Sequence, residues 1–490
     1  MAEISHSYTQ RSRKHREPWR TRAVSILTSD RARFVSLACF LLLVALLGGG
    51  SRSDIQSLVI LRPIAVLFAF WALFLLTASD ARAVRVPLLV IVAFMALALL
   101  QLVPLPPAIW TGLPNRDLVA EASALIGMED MARPLSLDPE RTWNAFFAMF
   151  VPLAAIGLTA IQAPAYRRRI VMALAAVALL SAVLGYLQTL GGRGLHLYAI
   201  THDRYPVGLF SNRNHQSVML LWLMLAASWL AASASPHRRS AKVTVASVVG
   251  LIVVLFPLLI LTGSRAGLLL SVPTLALCGW LLLRSPAARS FLGRAGRRAR
   301  IIAGAVAAAL AAIPLSVLAV LSASQRNTAL HRLFETDAAD ELRWSYLPTL
   351  LQMARDHLPF GSGFGSFENV FNIYEPADLL NSRYLNQAHN DLLQLVIEGG
   401  IPALLVLLAA LAWFAGCLWQ AWRSRGQEER LAALFFGGSI ALWLAASLPD
   451  YPLRTPLAAA LVAALTAQLS MLSTRARSIP GLPGEQGDVS

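Results

Sequence analysis

The chain has 490 residues, 56% of them hydrophobic and 14% charged, with a mean hydropathy of +0.58. Apolar side chains in that proportion cannot be hidden in a water-soluble core of ordinary dimensions, so the composition excludes a soluble globular protein and indicates an integral membrane protein. The net charge of +15 and the pI near 10.7 would suit nucleic-acid binding. Here, however, the basic residues are scattered over short loops, where they face an anionic leaflet, and nucleic acid is not an expected partner.

In chain order, residues 1–33 form a basic arm containing RSRKHREPWRTR. No small-x-small cleavage site follows it, which predicts an uncleaved, cytoplasmic signal anchor. Apolar runs long enough to cross about 30 Å of hydrocarbon number about twelve. They lie near 34–50, 57–77, 85–103, 143–161, 170–190, 216–233, 243–262, 266–283, 301–322, 392–416, 431–449 and 455–473. The first nine fill 34–322 and the last three fill 389–473. The tail 474–490 reads as cytoplasmic and disordered.

Arginine-rich loops alternate with acidic ones, and most of the 42 Lys and Arg fall on the side of the N-terminal arm. That predicts cytoplasmic N and C termini. The segments near 104–141, 191–215 and 323–388 then face the opposite side. The third holds DELRWSYLPTLLQMARDH, whose Leu342, Tyr346, Leu350 and Met353 form one helical stripe and predict an amphipathic helix on the outer face. The expected fold is an all-α polytopic membrane protein of about twelve transmembrane helices. Its large extracytoplasmic loop, 323–388, contains short amphipathic helices.

Several motifs carry less than they suggest. FGSGFGSF (360–367) alternates glycines but has no βαβ context and no Walker lysine, so it reads as a flexible turn beside an active site rather than a nucleotide loop. Cys39, Cys278 and Cys417 all lie inside apolar runs without CxxC spacing. They are expected to be buried small hydrophobes, with neither disulfide nor metal.

The informative residues are polar ones at membrane boundaries. TGSRAG separates two apolar runs and places Arg265 at the outer boundary, where it can grip a phosphate or snorkel to lipid headgroups. GLFSNRNHQS adds Asn212, Arg213, Asn214 and His215. In NQAHNDLLQLVIEGG, Asp391, Gln394 and Glu398 share one helical face, which must look into protein or a wet cavity, and His389 stands at its rim. Asn390 or Asp391 capping the helix, and Glu398 pairing with an arginine, would be the structural alternative.

The chain resembles the O-antigen ligase and polymerase superfamily of bacterial envelope glycosyltransferases. The residues that carry the likeness are LQLVPLPPAIW with PLSLDPERTW, GLFSNRNH, LTGSRAGLLL, RWSYLPTLLQMARDHLPFGSGFGSF, HNDLLQLVIEGG and LPDYPLRTP. His389 with Asn390 and Gly400, and Arg265 with Leu269, fit the ligases' paired patterns. Ala403 departs from them where a second glycine often stands.

The resemblance implies an inner-membrane enzyme that transfers an undecaprenyl-diphosphate-linked glycan to an acceptor on the periplasmic side. The acceptor would be lipid A-core for a ligase, or another repeat unit for a polymerase. It implies His389 as general base on the acceptor hydroxyl, a task suited to a rim histidine, with Asp391 or Glu398 orienting it or serving instead. The arginines would hold the departing pyrophosphate: Arg265 first, then Arg213, Arg343 and Arg383, with Asn214 and Asn390 beside them. Trp344, Tyr346 and Tyr374 are candidate faces for sugar rings. No carboxylate cluster has metal spacing, and metal-independent transfer without a cofactor is expected.

Two other classes compete with the enzyme. A polysaccharide transporter would place ionisable groups near the midplane, whereas these cluster at one rim. A non-catalytic assembly component would tolerate loss of His389.

Overall fold

The computed structural model describes residues 28–52, 54–234, 238–285, 345–377, 380, 385–423 and 426–478. Eleven of the twelve expected apolar runs are helical, and the run at 301–322 lies outside the described residues. The helices are α1 (Asp30–Leu47), α2 (Ser57–Leu75), α3 (Arg85–Gln101), α4 (Pro139–Ala160), α5 (Arg167–Gly191), α6 (Arg213–Ala232), α7 (Arg238–Leu261) and α8 (Arg265–Arg284). Two short helices follow, α9 (Leu347–Asp356) and α10 (Phe367–Tyr374), and then α11 (Asp391–Arg423), α12 (Gln427–Ala446) and α13 (Pro456–Ser478).

Among the described residues, nine helices are long and apolar enough to cross a membrane. Of the other two expected spans, α3 is slightly short, and α1 opens on the charged residues Asp30, Arg31 and Arg33. The only strands described are two dipeptides, Pro104–Leu105 and Arg133–Pro134, paired antiparallel in the segment between α3 and α4. The chain is an all-α polytopic membrane protein.

Burial separates pillars from lipid-facing walls. The most apolar stretch of α6 is 89% buried, enclosed by α5, α7, α8 and α12, whereas that of α11 is 11% buried. A helix that is apolar all round belongs inside, and α6 is that helix. Close approach between α6 and α8 depends on small residues, because a Cβ on Gly267 would lie 2.4 Å from Ser217 Oγ. Small-residue contacts of this kind allow tight helix packing where lipid supplies no hydrophobic drive.

The constraint that positions the site is a break in α11. Gly400 leaves helical geometry with φ 60° and ψ −154°, two residues before Pro402. Breaking a helix at membrane depth strands backbone groups that only protein can satisfy. The turn after α9 enters the gap: Ser362 N–H donates to the Ile397 carbonyl at 2.9 Å and Gly363 N–H to the Glu398 carbonyl at 2.9 Å. Ile401 N–H donates in turn to the Pro359 carbonyl at 2.8 Å. From the end of α3, Gln101 Nε2 donates to the Glu398 carbonyl at 2.9 Å, and its Oε1 accepts from Phe364 N–H at 2.9 Å.

The sequence reading of FGSGFGSF as a flexible turn is therefore corrected. The segment from Gly361 to Phe364 is buried, and its glycines are required by contact. Gly361 and Gly363 have φ of 82° and 107°, and a Cβ on them would fall 2.4 Å from the Glu398 carbonyl oxygen and 2.3 Å from Ser136 Oγ. Ala403, the departure from the ligase pattern, is fully buried in the same place and lies 2.3 Å from where a Cβ on Gly399 would be. The expected amphipathic helix is α9. Its buried Leu350 and Met353, with Tyr346 before it, pack against Phe367, Phe371 and Ile397 rather than against lipid; Leu342 lies outside the described residues.

Gly363→Ala should lower stability by about 1–3 kcal/mol, the usual cost of a strained backbone with a contact to relieve. Gly250→Ala, in open space on α7, should be neutral or slightly stabilising. Thermal unfolding of the two variants in detergent checks the contrast.

Candidate functional site

Short links and helix starts converge at one end of the bundle, around the carboxylate of Asp450. Asp450 is 2% exposed and sits in the link between α12 and α13. Its Oδ2 accepts from Asn214 Nδ2 at 2.7 Å and Asn212 Nδ2 at 3.3 Å, and its Oδ1 accepts from Tyr451 N–H at 3.0 Å. His389 Nδ1 lies 3.2 Å from Oδ1, and His215 Nε2 lies 3.9 Å from Oδ2. The Tyr451 ring stands edge-on to both imidazoles, with centroids 4.7 Å from His389 and 5.3 Å from His215.

Local chemistry forces these groups together. Asn212 caps α6 by accepting from Asn214 N–H at 2.8 Å, which turns both amides toward Asp450. His389 is held at φ 49°, a left-handed conformation unusual for a histidine. Neighbours on both sides fix it: Gln394 Oε1 accepts from Ala388 N–H at 2.9 Å, and Asp391 N–H donates to the Ser447 carbonyl at 2.9 Å. Asn390 Oδ1 accepts from Leu393 N–H at 2.9 Å, so Asn390 acts as the helix cap.

A carboxylate facing Nδ1 calls for the proton on that nitrogen and places the imidazole lone pair on Nε2. The ring is 16% exposed, so it borders the surface rather than the core.

Asp391 and Glu398 occupy the face expected of them and converge on a residue that sequence reasoning passed over. Arg454 Nε lies 3.1 Å from Asp391 Oδ1, and its Nη1 lies 3.1 Å from Glu398 Oε2. The other oxygen of Glu398 accepts from Gln394 Nε2 at 2.9 Å, and Glu398 is 1% exposed. Burial works against the Arg454 charge, but Glu398 and Asp391 outweigh it and hold the guanidinium above the usual arginine range. As placed, Glu398 is the buried arm of an ion triad whose Asp391 and Arg454 are partly exposed.

The remaining candidates divide. Arg213, at the start of α6, stacks its guanidinium 4.2 Å from the Tyr205 ring centroid. Arg265 is exposed at the first turn of α8, behind the cap Ser264, whose Oγ lies 3.1 Å from Ser217 Oγ on α6. The starts of α6 and α8 thus meet, each carrying an arginine and a helix N-terminus. Arg343, Arg383 and Trp344 lie outside the described residues.

Tyr346 is not available as a sugar face, since it is 2% exposed and T-shaped against Phe371. Tyr374 bonds Asn115 and approaches His357 Nε2 at 3.4 Å. Burial, then the Arg116 charge, push that histidine down to about 4, so it stays neutral at physiological pH.

Next to the Asp391–Arg454 cluster lies a cavity of about 770 Å³, lined also by Asn386 and Gln387 but not by His389. Its rim carries Arg52, Arg62, Arg141, Gln387, Asp391 and Arg454, and its walls are apolar side chains of α2, α3, α4, α11, α12 and α13. Among the described residues, no group of three or more His, Cys, Asp and Glu has the arrangement of a metal site.

Asp450 and Arg454 are the residues of the candidate site that sequence reasoning missed. Both lie in LPDYPLRTP, which carried part of the family likeness without being given a role. Two charged residues in an otherwise apolar link, on the same side as His389, were the available signal.

Comparison with known families finds that residues 250–408 match the O-antigen ligase family model, Wzy_C. The matched stretch contains Arg265, His389, Asn390, Asp391, Glu398 and Gly400, while Asn212–His215 and Asp450–Arg454 lie beyond it. A comparison with curated proteins finds no match.

Arg454→Ala leaves two carboxylates without their cation and should cost on the order of 3 kcal/mol. In a double-mutant cycle with Glu398→Gln, measured by thermal unfolding, the two losses should be clearly less than additive.

Proposed function

We propose, from the match of residues 250–408 to the O-antigen ligase family model, that the chain is an inner-membrane glycosyltransferase of the O-antigen ligase and polymerase superfamily acting on the periplasmic side. The donor is an undecaprenyl-diphosphate-linked glycan, and the preferred acceptor is lipid A-core, as in a ligase. The observation that carries this reading is the His389–Asp450 pair, a buried carboxylate holding an imidazole at a rim between two arginine-bearing surfaces.

In the proposed reaction His389 Nε2 takes the proton of the acceptor hydroxyl as its oxygen bonds to the anomeric carbon of the donor. The bond from that carbon to the diphosphate oxygen breaks, and undecaprenyl diphosphate departs with the electron pair. Asp450 keeps the histidine oriented and offsets the positive charge that it gains. Arg213 and Arg265, at the adjoining starts of α6 and α8, are suited to the charge on the departing diphosphate, since two helix N-termini reinforce them. Asn214 acts through Asp450, and Asn390 through the start of α11, as positioning residues. Asp391 and Glu398 hold Arg454 rather than a proton in flight.

This assignment leaves no step that requires a metal ion, and transfer is expected to survive chelation. A polymerase, with a second lipid-linked repeat unit as acceptor, is the alternative and would use the same groups. Both readings orient the chain with N and C termini in the cytoplasm.

The test is the glycan profile of a deletion strain carrying the wild-type gene or a His389→Ala copy. His389→Ala should reduce attached glycan by about 10²–10⁴-fold, the usual contribution of a general base. Lipid A-core without attached glycan in both the deletion and the variant supports the ligase. A single attached repeat, or a lost secreted polymer with intact core, supports the polymerase. Full rescue by His389→Ala overturns the assignment of the base.

A further inference from the structure

We propose that the 770 Å³ cavity is the acceptor's lipid site, with a phosphate of an amphiphilic acceptor on Arg62 and its hydrocarbon in the slot below. The proposal deepens the transferase reading and rests on it.

Arg62 is the starting point. It lies inside α2, one turn and a half from its start, where a charge is costly and marks function. Among the described residues it forms no ion pair. Its Nη1 donates to the neutral Asn144 at 2.8 Å, and its buried Nε has no hydrogen-bond partner.

The other rim cations are compensated: Arg52 by Asp54 at 2.7 Å, Arg141 by Glu368 at 2.9 Å, and Arg454 by its two carboxylates. Arg141 sits one turn from Asn144 and acts on Asp54, whose carboxyl the hydrogen bond from Arg52 already holds below its usual range. Three arginines therefore gather at one corner of the rim, and Arg62 is left with an unanswered charge facing the cavity. A phosphate would answer it.

The slot below that corner suits hydrocarbon. Lining residues run down α11 from Asp391 to Phe414, roughly 35 Å at the helical rise and therefore comparable to the membrane's hydrocarbon depth. Pro87 and Ile91 of α3, Ile156 of α4, and Val462 and Thr466 of α13 continue the wall. A glycan would find few partners there, whereas an acyl or isoprenyl chain would be at home.

Position identifies which substrate this is. The lining includes Asn386, Gln387 and Asp391, on either side of His389, and no residue of α6 or α8, which carry Arg213 and Arg265. His389 does not itself line the slot, but the residues flanking it do, so an amphiphile held there lies next to the segment that carries the base and apart from the donor arginines, as an acceptor should.

The experiment measures lipid retention, which does not depend on transfer. Wild type, Arg62→Gln, Arg62→Lys, Ala148→Phe and His389→Ala are each equilibrated in detergent with equal amounts of undecaprenyl phosphate, lipid A and phosphatidylglycerol. Bound lipid is then read by native mass spectrometry. Wild type, Arg62→Lys and His389→Ala should retain undecaprenyl phosphate or lipid A in preference to phosphatidylglycerol. Arg62→Gln should lose that preference by about tenfold, for one lost charge-assisted contact, and Ala148→Phe, which narrows the slot, should lose it too.

Arg62-dependent retention of lipid A assigns the acceptor as lipid A-core; Arg62-dependent retention of undecaprenyl phosphate assigns it as a lipid-linked repeat unit if an Arg213→Gln/Arg265→Gln double variant still retains it, and overturns the acceptor assignment if that variant does not. Equal retention by wild type and Arg62→Gln, or no preference over phosphatidylglycerol, overturns the proposal. Either result leaves the role of His389 to be judged by transfer alone.

Discussion

A carboxylate buried to 2% exposure must be answered by hydrogen-bond donors or abandoned, and the loop end of this bundle is built around answering Asp450. Two amides arrive from the cap of α6, a backbone N–H from Tyr451, and an imidazole from the residue before Asn390. Three separate stretches of chain, near 212, 389 and 450, are tied to one another by a single side chain. The tie gives His389 one orientation in a place where the backbone would otherwise resist its left-handed conformation.

The second requirement is to bring that histidine to the surface while α11 continues through the membrane. The break at Gly400 does this, and its cost in backbone hydrogen bonds is met by the glycine turn and Gln101. The ion triad of Asp391, Glu398 and Arg454 then locks the segment between the break and the histidine to the α12–α13 link. An ion triad of this kind is weak evidence for stability, but its geometry fits only one placement of the start of α11 against the α12–α13 link. The registry of α11 against α13 is what sets His389 beside Asp450.

Much of this was legible in the residues. Hydropathy and arginine placement outlined the helices, because lipid leaves a spanning segment few alternatives. The shared face of Asp391, Gln394 and Glu398 followed from helical periodicity. Three things were not legible, each for a physical reason. The cation shared by Asp391 and Glu398, Arg454, stands 63 and 56 residues away from them, a distance periodicity cannot bridge. The glycine turn looked flexible because alternating glycines signify freedom when isolated and close contact when buried, and only packing distinguishes them. Arg62 is visible as a charge inside an apolar run, but the emptiness beside it is a property of six helices together.

In the proposed reaction His389 acts as a base because Asp450 orients it. The most direct measurement is the transfer rate of purified, reconstituted protein with saturating donor and acceptor, comparing wild type with Asp450→Asn. The amide preserves shape and burial but cannot serve as the anionic partner of Nδ1–H. A fall in kcat of about 100-fold or more is expected with substrate binding near wild type, together with a loss of thermal stability, because the amide nitrogen must face donors from which the carboxylate accepts. A kcat within about twofold of wild type would contradict it, since general-base catalysis by an oriented histidine is worth far more than that.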